Sequence, residues 1–251
     1  MKLPSKSLER KLFADGYEQI IGIDEVGMGC LAGPVVVCAV SLNKDFYKKS
    51  HKKLRRLRDS KMLLPHQREN FARELLKFKN LKFKISYCYP KTIDKLNIYQ
   101  AARKAMRRAV KKLSGKSAIR PTLDPRLFAA RRSFLVGALA RLESPREFSS
   151  GCMADLLKTI VLIDGKTIVQ GLPLEQMAIV KGDRKVFAIA CASIIAKVFR
   201  DKMMIKYAKK FPGYGFEKHK GYGTKEHRAQ LAKLGSCAIH RKSFAPVFKL
   251  V

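Results

Sequence analysis

Acidic side chains are scarce in this chain: 20 Asp and Glu face 53 Lys and Arg, a formal net charge of +33 over 251 residues. Tryptophan is absent. The six cysteines, Cys30, Cys38, Cys88, Cys152, Cys191 and Cys237, are so spread that no two lie within four residues of each other. That spacing excludes a zinc ribbon and a redox CxxC pair. Most sit in apolar runs and read as small core residues of a reducing compartment. No apolar run reaches the roughly 18 residues of a membrane span, and the N-terminus lacks the apolar core of a signal peptide. The longest run, 31–42, is interrupted by Gly33 and Pro34. No repeat of 20–50 residues is visible. A soluble, cytoplasmic and monomeric protein is expected.

Enough remains to build a core, since 47% of residues are hydrophobic. The length suits one domain of roughly 200–250 residues, or one domain carrying an insertion. Positive charge is concentrated. Residues 51–120 hold 22 basic and 4 acidic side chains, more than half of the net charge. Such asymmetry points to a polyanion, most simply nucleic acid, because neutralising phosphates releases condensed counterions. A generally lysine-rich surface would give the same composition, so charge alone does not decide.

The pattern is mixed α/β. Residues 20–24 and 35–42 are apolar and β-branched, 81–89 alternates apolar with polar, and 160–163 is a further β-rich run. Helical spacing marks 65–78, opened by Pro65, then 98–113 and 186–210. On 98–113, Arg103, Lys104, Arg107, Arg108, Lys111 and Lys112 crowd the face opposite Ala102, Met106, Ala109 and Val110. Between 114 and 158, prolines and Ser-Gly breaks punctuate the chain, which reads as an insertion.

Gly27-Met28-Gly29-Cys30-Leu31-Ala32 imitates the G-x-G-x-x-A dinucleotide fingerprint. That motif needs a helix to follow, and here Gly33-Pro34 and a valine-rich strand follow instead. The acids are more informative. Asp24 and Glu25 end one apolar strand, Asp164 ends another, and Asp183 follows the strand-like 178–180. Buried carboxylates are costly to ionise without a cation, and an all-oxygen donor set favours Mg²⁺ or Mn²⁺ over zinc. Any one of these acids alone could be a turn former or a helix N-cap, as Asp183 ahead of 186–210 could be. Four together ask for a metal.

These residues resemble the motifs of type 2 ribonuclease H, the ribonuclease HII family. The stretches are IGIDEVG at 21–27 with LAGPVV at 31–36, LRDSKML at 57–63, VLIDG at 161–165, KGD at 181–183 with ACASIIAKVFRD at 190–201, and YGF with HKGYGT at 214–216 and 219–224. The resemblance implies a ribonuclease H-like mixed sheet flanked by helices over 1–210, interrupted near 114–158, and a helical substrate-binding segment over 211–251. It implies a metal-dependent endonuclease that hydrolyses the RNA strand of RNA–DNA hybrids and incises 5′ of ribonucleotides embedded in duplex DNA. The ends left would be 5′-phosphate and 3′-hydroxyl. Asp24, Glu25, Asp164 and Asp183 would be the catalytic acids of a two-metal site. Gly27, Met28, Gly29, Ser60, Lys61, Lys181 and Tyr222 would contact substrate, with Tyr222 packing on the deoxyribose 3′ of the ribonucleotide.

Three features depart from the family pattern: Met28 stands in place of an arginine, Cys30 in place of a proline, and 114–158 is extra. Two rival readings fit the charge. A basic duplex-binding protein with decayed catalysis would have no reason to keep four acids. A basic structural protein of the ribosomal kind leaves them unexplained.

Overall fold

The computed structural model describes residues 4–48, 54, 60, 63–114 and 158–249. Most of the expected insertion, and Lys61, lie outside these. Five strands form one sheet, β1 (Gln19–Val26), β2 (Val35–Asn43), β3 (Leu81–Cys88), β4 (Thr159–Asp164) and β5 (Glu175–Ile179), in the spatial order β3-β2-β1-β4-β5. β1–β2 and β2–β3 pair antiparallel, β1–β4 and β4–β5 parallel. The expected mixed sheet is present; β1 to β4 match the sequence reading to within a residue or two, while β5 begins three residues before the strand-like 178–180.

The helices are α1 (Ser7–Ala14), α2 (Lys44–Lys48), α3 (Pro65–Leu76), α4 (Pro90–Leu96), α5 (Ile98–Leu113), α6 (Gly182–Lys185), α7 (Phe187–Lys210), α8 (Phe216–His219), α9 (Lys225–Leu234) and α10 (Ala245–Phe248). Strand residues alternate between faces. Ile21, Ile23, Val37, Val161 and Ile163 pack on the α5 side with Ala101, Ala105 and Ala109. Ile20, Val36, Cys38, Ile160 and Leu162 pack on the α7 side with Ala188, Ala192 and Ile195.

Two local features set the position of α7. Its first residues, after Val186, offer no capping side chain. The cap comes from far away in sequence: the Ala188 N–H donates to Oε1 of the buried Glu9, at 3.1 Å, and the Tyr47 hydroxyl donates to the same oxygen. A carboxylate at a helix N-terminus satisfies an orphan donor and matches the dipole. This contact gives α1, which the sequence pattern did not reveal, its structural role. The second feature is Gly22, where a Cβ would stand 2.4 Å from the Ala188 carbonyl carbon. The helix therefore rests directly on the β1 backbone.

We expect Gly22→Ala to cost about 1–3 kcal/mol of unfolding free energy through overpacking against backbone that cannot rotate away. Urea unfolding measures it; a loss below a few tenths would mean that α7 can lift off the strand freely.

Candidate active site

The carboxyl ends of the parallel strands gather the acids. Asp24 lies near the end of β1 and Asp164 ends β4, and the β1–β4 register runs up to Ile23 opposite Ile163. Both side chains belong to the α7 side of the sheet, whereas Glu25, next along the strand, belongs to the other. Asp24 is buried, with Oδ1 accepting from the Glu25 N–H at 2.7 Å. Burial raises its carboxyl well above the usual carboxylate range, and the charges of Glu25 and Asp164 push it further. Asp183 is buried in the first turn of α6, directly after β5. Its neighbour Gly182 donates its N–H to Asp164 Oδ1 at 2.7 Å, and a Cβ on Gly182 would press on Ile189 at 2.6 Å and approach that same oxygen at 3.3 Å. Lys181, exposed and left-handed at φ +56°, makes the turn that delivers this N–H.

A serine pair supports Asp24. Ser193, buried on α7, hydrogen-bonds the Asp24 carboxylate, and its Oγ lies 2.9 Å from Ser60 Oγ. Ser60 thus reaches the acids through Ser193, a residue that sequence reading had not singled out although it lies inside the 190–201 motif.

Residues 27–34 leave β1 as a loop and enter β2 without a helix, so the dinucleotide fingerprint is a coincidence of glycines. Two fully buried arginines hold this loop. Arg200 of α7 donates from Nε to the Pro34 carbonyl, from Nη2 to Ala32 and from Nη1 to Lys220, at 2.9–3.1 Å. Arg241 donates from Nε to the Gly33 carbonyl, from Nη1 to Met28 and from Nη2 to Gly27, at 2.6–3.0 Å. Gly27 is required by its φ of +98° and by Arg200 Nε, which would lie 2.4 Å from a Cβ. Gly29 differs, being exposed with nothing within 4 Å of the corresponding point. The Met28 side chain rests against the α5-side core.

Tyr222 stands beside this loop, bridged to Cys30, with its ring 37% exposed and Lys197 Nζ at 5.3 Å from the ring centroid. Burial pushes its hydroxyl up to about 12, so the ring stays neutral. Three histidines brace it from behind. The Gly221 N–H donates to His219 Nδ1, so the other nitrogen, Nε2, carries the proton donated to the Tyr214 carbonyl. The Cys237 N–H likewise fixes His240 with a proton on Nε2. That proton meets His227 Nε2 at 3.2 Å, and His227 Nδ1–H donates to the Tyr222 carbonyl at 2.9 Å. These partners assign each ring its donor and acceptor nitrogen.

Asp24, Glu25 and Asp164 lie at the strand ends, Lys181 and Asp183 in the turn and short helix after β5, and Ser60 behind Ser193. The loop 27–29 and Tyr222 lie together along the Arg200–Arg241 brace. Among the described residues no three His, Cys, Asp or Glu side chains are already drawn together as an ion cage. A hard divalent ion nevertheless fits the donor set: it is all oxygen, and its central acid is destabilised by two others of like charge.

A ribonuclease HII family model matches residues 21–122 and 154–247, leaving the middle of the expected insertion unmatched. The chain belongs to the ribonuclease HII family. It is 37% identical over 237 residues to the ribonuclease HII of Caldicellulosiruptor saccharolyticus, covering 94% of this chain and 92% of that one. It is 39% identical over 245 residues to that of Endomicrobium trichonymphae, covering 98% and 94%. The crystal structure of ribonuclease H2 from Pyrococcus horikoshii superposes with a TM-score of 0.59 at 20% identity, over 92% of this chain and 96% of that one, which shows a shared fold. As a member of this family the chain is an endoribonuclease of the ribonuclease H type, cleaving RNA in RNA–DNA hybrids.

The histidine brace generates a pH prediction. Burial lowers His227 below its usual 6.5, and burial together with His227 brings His240 down to about 4. Once pH falls below about 6.5, the unfolded chain takes up protons that the buried rings refuse. Stability should therefore decline toward pH 4 and level off below it. Urea midpoints across this range should fall more steeply for the natural chain than for His240→Asn. Parallel curves would mean that His240 protonates without consequence.

Proposed function

We propose that Asp24, Glu25, Asp164 and Asp183 hold a pair of divalent ions, Mg²⁺ or Mn²⁺, and that the chain incises the RNA strand of hybrids and the 5′ side of ribonucleotides embedded in duplex DNA. The observation that carries this is the raised carboxyl of Asp24, buried at the strand ends and repelled by Glu25 and Asp164. Divalent ions held by these acids would supply Lewis acidity, and hydrolysis would leave 5′-phosphate and 3′-hydroxyl ends. The protein's part is placement. Ser193 orients Asp24, the Gly182 N–H orients Asp164, and Asp183 would join them from the turn that follows Lys181.

Recognition falls to the loop and Tyr222. Gly29 has no internal reason to be glycine, so its bare backbone serves an approaching ribose 2′-hydroxyl. The neutral Tyr222 ring, steadied by cations at its face and histidines behind, offers a flat surface that accepts deoxyribose and excludes a 2′-hydroxyl. Ser60 works through Ser193, while Lys61 in the same segment and Lys181 contact phosphate. Residues 211–251 act as the substrate-binding segment on the 1–210 catalytic domain, and 114–158 is an insertion in it. The chain works as a monomer in the cytoplasm, a reading supported by the free thiols of Cys30, Cys38, Cys88, Cys191 and Cys237. Among the described residues no helix is long and apolar enough to cross a membrane.

Asp183→Asn should abolish Mg²⁺- and Mn²⁺-dependent cleavage of a hybrid while leaving its binding largely intact, because basic residues supply most of the affinity. Turnover near that of the natural chain would refute Asp183 as a member of the set.

Met28 lacks the charged fork that an arginine would offer to phosphate, and Arg241 cannot substitute while its guanidinium is spent on carbonyls. Met28→Arg should therefore raise the ratio of single-ribonucleotide to long-hybrid cleavage. A ratio that stays level or falls in side-by-side assays means that other basic residues already fill this role.

A further inference from the structure

The basic face of α5 divides into two rows with different fates. Arg103 reaches Thr167 Oγ1 and Arg107 donates to the Gln170 carbonyl, so this row fastens the loop after β4. Lys104, Arg108 and Lys112, spaced by four residues, instead border β3, the edge strand of the sheet. Between that row and the strand lies a cavity of about 270 Å³, lined also by Ser86, Tyr89 and Thr92 and by no carboxylate. Arg108 fixes its wall by donating from Nη2 to the Tyr87 carbonyl and, at 3.2 Å, to Cys88 Sγ. Lys104 and Lys112 stay exposed at its mouth, beside the half-exposed Tyr89 ring.

The sheet register locates this cavity relative to the acids. Glu25 pairs with Val37 and Val37 with Ser86, so Ser86 lies in the same row as Glu25, two strands away and on the same face. Two strand spacings are about 10 Å, which is roughly three nucleotides at about 3.4 Å each along a duplex axis. A strand cut beside Glu25, the acid on this face, can thus lay its backbone over the cavity.

We propose that this cavity is an auxiliary phosphate subsite, in which Lys104 and Lys112 clamp the backbone of the bound nucleic acid about three nucleotides from the cleaved bond. The proposal rests on the hybrid-cleaving reading above. Lysines suit the task, being point charges that tolerate a sliding backbone, while Arg108 is held back to shape the wall.

The test pairs Lys104→Gln/Lys112→Gln with Lys82→Gln/Lys84→Gln, which removes equal charge from exposed positions lower on β3. Hybrid binding is measured against salt concentration, and KM and kcat are measured on the same hybrid. Neutral methylphosphonate linkages are then walked through the substrate strand. The cavity variant should lower the log–log salt slope by about 0.9 for each phosphate released and raise KM with kcat unchanged. One or two linkages about three nucleotides from the cut should reproduce that loss in the natural chain and add nothing to it in the cavity variant. Equal changes in both double variants, or full additivity at every linkage, would overturn the subsite. A natural chain that fails to cleave any hybrid would instead overturn the functional reading on which it rests.

Discussion

The site depends on two cations that never meet solvent. Arg200, from the long helix, and Arg241, from the C-terminal segment, both reach the segment 27–34 and spend their donors on its carbonyl oxygens and on Lys220. A connecting loop that carries no regular hydrogen-bond ladder would otherwise bury those carbonyls unsatisfied, at about 1–3 kcal/mol each. The arginines need partners for a charge in apolar surroundings, and burial lowers Arg241 to about 10 even so. Each side of the contact relieves the other. One brace therefore fixes the loop after β1 and the Lys220–Tyr222 turn together, as the proposed reading of a single sugar would require.

The placement of the acids follows the same economy of close contacts. Gly22 lets α7 lie on β1, and that approach brings Ser193 to Asp24. Gly182 lets the turn before α6 close on Asp164. Neither glycine touches substrate in the proposed reading. Both let backbone elements close on the acids, and the cost appears in the raised carboxyl of Asp24, which burial lifts first and the charges of Glu25 and Asp164 lift further. Electrostatic cost concentrated at one point is what the proposed cation would relieve.

Much of this was legible from sequence because it is written in local pattern. Apolar strands ending in acids located Asp24, Glu25 and Asp164, and periodicity located α5 and α7. What escaped was whatever depends on partners distant along the chain. Glu9 sits in a short, weakly patterned helix, and its role as cap of α7 exists only across 179 residues. Arg241 looks like one more basic residue among 53, and nothing local distinguishes a buried guanidinium from a solvated one. Ser193 lies in an apolar helical run where a serine reads as filler. The His219, His227 and His240 positions were visible singly, but their shared hydrogen-bond chain requires the fold.

The charge excess gains meaning from this division of labour. A net +33 gives no structural information, since surface lysines at any position would yield it. The structure sorts those cations by what they face. Arg200 and Arg241 face carbonyls and build the loop; Arg103 and Arg107 face the loop after β4 and hold it; Lys197 faces the Tyr222 ring. Lys104 and Lys112 border an open cavity whose Ser86 is in register with Glu25. An acidic centre alone would repel the polyanion it cuts. Set in a surface of this sign, the acids lie among lysines and arginines that attract a phosphate backbone, so the excess positive charge offsets their repulsion of nucleic acid.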